Sequence, residues 1–268
     1  MVNTDAAQAA SFLARQCPQQ AALLASYPLG TAQVWLKKAG RRNSIWAYRA
    51  LALIAWLARM PALQPVPNLG GQAAIATEVQ RLQTLAAAGL RVPQVLAVQP
   101  DAFLMGHLGV AGQYTPSLAD ELESAVRAAQ TEHALALWQE GLGFLASVHA
   151  HGQCLSQAFA RNIVRCANGG LGAVDFEDDP SAALSLALCQ LRDYLAYIHS
   201  TALYLQEAGL VPQAQQAWRT TLASLSLTLQ ADIAHTAARM AWLRHLPTDR
   251  RWGRDAQRLR AAYALVGV

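Results

Sequence analysis

The stretch SVHAHGQCLSQAFARNIV, residues 147–164, decides how this chain is read. It opens as the end of an apolar helix, breaks at Gly152, passes through a polar irregular run containing Ser156 and Gln157, and turns apolar again straight after Asn162. The residues that follow, IVRCANGGLGAVDFEDDP (163–180), predict a hairpin of two short strands around Asn168, Gly169 and Gly170. Asp175 comes after the apolar pair Ala173 and Val174, at a strand end.

Upstream, residues 109–150 turn helical from Ser117 onward, and everything beyond Pro180 reads as helix, with breaks near 209–212 and 247–249. VPQVLAV (92–98) and AFLMGHLG (102–109) read as strands joined by a turn at 99–101. AAIATEVQRLQTLAAAG (73–89) carries Ile75, Val79, Leu82 and Leu85 at helical spacing, and Glu78 is its only acid. Closer to the start, VWLK (34–37) is a short strand after Gly30, and residues 4–26 read as a helical extension interrupted by Pro18. The expected fold class is therefore α+β, a small sheet-containing lobe over 27–108 followed by a larger helical lobe over 109–268. Within the first lobe lies the basic-apolar segment 41–71, whose RRNSIWAYRALALIAWLARMP (41–61) predicts either a buried helix or one lying in a membrane interface.

Composition excludes several classes. Hydrophobic residues make up 53% of the 268 and charged ones 14%, which rules out a disordered or fibrous chain. Cys17, Cys154, Cys166 and Cys189 form no CxxC pair and have no histidine at ligand spacing, so neither a disulfide framework nor a zinc site is expected. His149 and His151 stand two apart, on different faces of a helix, and do not make a metal pair. No G-x-S-x-G hydrolase elbow is present. The start lacks a basic, apolar leader and no apolar run reaches 18 residues, which predicts a cytoplasmic protein, at most peripheral on the inner membrane. The formal charge of +4 gathers at the end, with seven arginines between Arg239 and Arg260 against Asp249 and Asp255. Such a stretch is either a solvated helix face or a contact for an anionic membrane or acidic sugar, and no nucleic-acid motif accompanies it.

From about residue 29 to 200 the order and spacing of these pieces resemble the protein-kinase-like fold, in particular the bacterial lipopolysaccharide core (Kdo/heptose) sugar kinases. The resemblance implies that Asn162 and Asp175 hold magnesium (Mg2+) bridging the phosphates of ATP, which few carboxylates plus phosphate oxygens suit. It implies that Lys37, in VWLK, contacts the phosphates and is held by Glu78, although Lys38 competes because neighbours on a strand point to opposite faces. It places the adenine-side connection at Met105 to Leu108, and it makes Asp193, in QLRDYLAYIHS, a buried aspartate anchoring the loop at 149–162. In VDFEDDP the residue after the phenylalanine, a glycine in the family, is Glu177, with Asp178 and Asp179 adding acceptors.

The chain departs from the family at its catalytic base. Counting back five residues from Asn162 gives Gln157 where the family has aspartate, and Leu155 where it has histidine. A glutamine cannot take a proton, but it can orient a hydroxyl, and losing a general base costs about 10²–10⁴-fold. Gly30 alone stands for the glycine-rich loop. The resemblance thus implies an ATP- and magnesium-dependent phosphotransferase acting on a saccharide hydroxyl of lipopolysaccharide, weakened at Gln157, or a pseudokinase that keeps the fold as a binding module.

Overall fold

Strand alternation sets the architecture of the sheet. In β2 (Ala32–Lys38) Val34 and Leu36 are fully buried on one face, while Trp35 and Lys37 project from the other. β1 (Leu24–Leu29) pairs antiparallel with β2 through the turn at Gly30 and Thr31, where Gly30 takes the left-handed conformation the turn requires. β3 (Val95–Gln99) and β4 (Ala102–Gly106) form a second antiparallel hairpin, and β4 lies against β2 to give the order β1-β2-β4-β3. The computed structural model describes residues 6–41, 66, 70–247, 251 and 253–267. Residues 42–61 of the expected insertion helix and Arg250 of the arginine stretch lie outside them.

One face of this sheet is closed by α1 (Ala6–Gln16), whose Ala9 and Leu13 pack with Cys17, Leu29, Val34, Leu36, Ala102 and Leu104. The helix stops earlier than the expected extension, and residues 24–29 form a strand instead. Their alternating burial, with Leu24 46% exposed and Pro28 inside the strand, is that of a sheet edge, where a missing N–H costs nothing. Beside the sheet stands α2 (Gly71–Ala87), which packs on β3 and β4. From Val164 on, the same unit includes the hairpin of β5 (Ile163–Arg165) and β6 (Leu171–Ala173), tied to it by Ala167 N–H donating to Leu108 O (2.9 Å) and Ala173 N–H donating to Arg91 O (3.0 Å).

The described residues fall into two compact units. One comprises 6–41, 66, 70–115 and 164–183, and the other 116–163 and 184 to the end of the described chain. The second is helical, built from α3 (Leu118–Arg127), α4 (Thr131–Ala150), α5 (Leu186–Glu207), α6 (Val211–Ala223), α7 (Leu227–Arg239) and α8 (Arg254–Val266). Ser117 and Asp120 form a reciprocal capping box at the start of α3, and Ser185 and Ser226 cap α5 and α7. The protein is thus α+β, a small antiparallel sheet with a mostly helical remainder. Among the described residues no helix is long and apolar enough to cross a membrane.

The helical unit is closed around Trp138, which donates from Nε1 to Thr201 Oγ1 (2.9 Å) and accepts on its carbonyl from the Tyr197 hydroxyl (2.8 Å). Gly141 makes that approach possible, since a Cβ there would lie 2.1 Å from the Tyr197 oxygen and 2.7 Å from Leu118 Cδ2. Gly141→Ala is accordingly expected to destabilise the protein by about 1–3 kcal/mol through overpacking, despite alanine's better helix propensity. A urea midpoint equal to or above that of wild type would contradict it.

Candidate functional site

The alternation of β2 separates the two lysines. Lys38 turns toward α1 and donates from Nζ to the carbonyls of Cys17 (3.0 Å) and Gln20 (2.9 Å), capping the end of that helix and its following turn. Lys37 turns to the opposite face, where its Nζ lies 2.7 Å from Glu78 Oε2, 3.0 Å from Asp175 Oδ1 and 3.0 Å from Glu177 Oε1. Of the two candidates, Lys37 is the one that meets acids.

Glu78 reaches this point because of where it sits on α2. Positions 75, 78, 82 and 85 share one face of a helix, and Ile75, Leu82 and Leu85 are buried there together with Glu78, whose side chain is 2% exposed. A carboxylate inside an apolar stripe needs a partner, and Lys37 supplies it. Burial pushes the Glu78 carboxyl up from its ordinary value, and the Lys37 ammonium opposes that shift. Burial would pull the Lys37 ammonium down, but Glu78 first, then Asp175 and Glu177, more than reverse this and hold it above its usual range.

The acids of VDFEDD arrive by a different device. Phe176 is buried and donates its N–H to Glu78 Oε1 (3.4 Å), which pins the segment to α2. Asp175 adopts a left-handed backbone (φ 71°), a conformation few residues other than glycine, asparagine and aspartate accept. Asp175 and Glu177, on either side of the buried phenylalanine, both keep over a third of their side-chain surface in solvent. The carboxylate oxygens of Glu78, Asp175 and Glu177 lie within 4.8 Å of one another. Arg81, one turn along α2 from Glu78 and itself buried, has its Nη1 3.8 Å from Asp179 Oδ1, a second tie between the helix and this segment.

The remaining candidates are placed as follows. Met105 is the register partner of both Trp35 and Val95 inside the sheet, and Leu108 follows it with its carbonyl engaged by Ala167. His107, between them, accepts from Trp35 Nε1 on Nδ1 (3.0 Å) and meets Thr115 Oγ1 through Nε2 (3.0 Å), with burial lowering its pKa. Gln157 and Asn162 belong to the helical unit, where Asn162 Nδ2 donates to the Gln157 carbonyl (3.1 Å). There Asp193, fully buried, accepts from the backbone N–H groups of Leu155 (2.7 Å) and Ser156 (3.0 Å) and pairs with His149 Nε2 (3.1 Å). Three interactions on one carboxylate fix the path of the loop before Gln157, including the left-handed turn at Ser156 (φ 78°). Two residues went unsingled in the sequence. Arg81 lies three positions after Glu78, a spacing that marks one helix face, and His107 carried no signal of its own.

Comparison with protein-family models and with curated proteins finds no match for this chain.

Two outcomes test this geometry. Lys37→Met is expected to cost about 3 kcal/mol or more by stranding Glu78, and adding Glu78→Leu to recover part of the loss; urea midpoints of the three proteins measure it. The ammonium is raised above its unfolded-state value of about 10.4, so its ion pairs stabilise the fold in full below that pH and lose their contribution as alkali carries the pH upward. The advantage of wild type over Lys37→Met should therefore be level up to about pH 10 and shrink only as the pH is carried upward from about 10.4. An advantage that holds constant would show that the charge is not its source.

Proposed function

We propose that the sheet-containing unit binds the phosphates of a nucleotide, ATP, together with magnesium, and that the chain is a protein-kinase-like fold whose sheet unit is the small lobe and whose helical unit is the large one. The observation that supports this is the meeting of Lys37, Glu78 and Asp175 within 3.0 Å, from a central strand, the helix after it and a loop far along the chain. An ammonium held by a buried carboxylate is a fixed positive charge for phosphate oxygens. Two half-exposed carboxylates beside it are hard oxygen donors of the kind magnesium takes. Asp175 and Glu177 would hold the ion, and bound magnesium would neutralise charge on the phosphate oxygens. Glu78 stays with Lys37, since its burial and its second contact to Phe176 commit it.

For the chemistry that follows binding, Gln157 sets the terms. Phosphoryl transfer depends mostly on positioning and charge stabilisation, so transfer to a saccharide hydroxyl of lipopolysaccharide can persist at a reduced rate with glutamine orienting the acceptor. An acceptor of that kind is membrane-borne, which gives the arginines of 239–260 an anionic surface to meet. The second reading is a pseudokinase, favoured by the same Gln157, that binds nucleotide and transfers nothing.

Wild type with ATP and magnesium at 100 times the dissociation constant is expected to gain about 2.7 kcal/mol, read as a rise in melting temperature, and Asp175→Asn to lose that rise. No rise in wild type overturns the nucleotide site. Transfer of labelled phosphate to lipopolysaccharide then separates the two readings: Gln157→Asp should raise it by about 10²-fold or more if the protein is an attenuated kinase. Silence in both proteins, with nucleotide binding intact, selects the binding module.

A further inference from the structure

An ammonium has three donors, and in this unit all three have a protein carboxylate to meet. Lys37 Nζ lies 2.7 Å from Glu78, 3.0 Å from Asp175 and 3.0 Å from Glu177. Among the described residues, three carboxylates against one ammonium leave two negative charges at the point where the nucleotide reading puts phosphate oxygens. The next cation on α2, Arg81, is turned to Asp179 at 3.8 Å. A metal-free nucleotide would therefore have to displace a carboxylate from Lys37 and then remain beside the acid it displaced, a like-charge contact that costs affinity.

The three acids are not equivalent in this respect. Glu78 is buried and also accepts from Phe176 N–H, so it does not leave. Asp175 is aimed by its left-handed backbone. Glu177 is 40% exposed and carries one methylene more than Asp175, which gives its carboxylate the longer reach of the two exposed acids. We infer that Glu177 makes the site discriminate for the metal complex of the nucleotide: it occupies Lys37 until a divalent cation draws its carboxylate away, so that magnesium-loaded nucleotide is admitted and metal-free nucleotide is refused. The inference rests on the nucleotide reading and assigns its specificity to one residue. Without Glu177 the ammonium would keep a donor for a phosphate oxygen and the local charge would fall by one.

Calorimetric titration of ATP in magnesium, and of ATP in excess chelator, into wild type and Glu177→Gln tests it. Wild type should bind the magnesium complex about 100-fold more tightly than metal-free ATP. In Glu177→Gln the metal-free affinity should rise about tenfold and the ratio between the two ligands narrow accordingly. Glu177→Gly should behave in the same direction, and ligand-free melting temperatures close to wild type in both variants show that the fold is kept. If wild type binds the magnesium complex but Glu177→Gln leaves the metal-free affinity unchanged or lower, Glu177 has no such role and the nucleotide reading stands. If wild type binds neither form, both fall together.

Discussion

A lysine pulled out of water must be given anions, and the candidate site is organised by how Lys37 finds its own. The strand that carries it spends one face on the α1 core, through Val34 and Leu36, so the other face is the only one available to the ammonium. There the buried Glu78 makes the demand mutual: neither charge is tolerable without the other. Once the pair is fixed, α2 is held in one orientation to the sheet, and the segment at 175–177 is bound to α2 through Phe176 N–H. Acids, helix and strand are thus parts of one electrostatic unit rather than separate decorations on a scaffold.

The helical unit is governed by a different constraint. Asp193 is stabilised by backbone N–H groups and a histidine, which suits a side chain whose task is to hold main chain in an irregular path. The path of the loop before Gln157 is set by these bonds, and the Asn162 side chain adds its own tie to the Gln157 carbonyl.

Part of this arrangement is legible in the sequence. Lys37, Glu78 and Asp175 stand out because VWLK, the single acid of the helix at 73–89 and VDF resemble the lysine, glutamate and aspartate positions of a kinase-like pattern. The burial of Asp193 could be expected from its apolar neighbours in QLRDYLAYIHS. The choice between Lys37 and Lys38 could not, because alternation says only that the two diverge, and the side on which α1 packs is a tertiary fact. The strand at 24–29 was hidden for a related reason: an edge strand buries one face lightly, accepts a proline, and offers no run of β-branched residues to distinguish it from the end of a helix. Glu177 was visible as an extra acid after the phenylalanine, but its distance to Lys37 depends on how Phe176 is seated, which no spacing rule supplies.

The left-handed backbone at Asp175 ties tolerance to replacement there to chain geometry as well as to charge. Across all twenty side chains, position 175 sorts into two filters applied in series. Asparagine and glycine pass the first, conformational filter and fail only the second, electrostatic one, whereas valine, isoleucine and threonine are stopped at the first. A glutamate, though it restores the charge, is displaced by one methylene and lacks aspartate's ease in this conformation. The residue is thereby constrained twice over, by the backbone it must adopt and by the charge it must bring to Lys37.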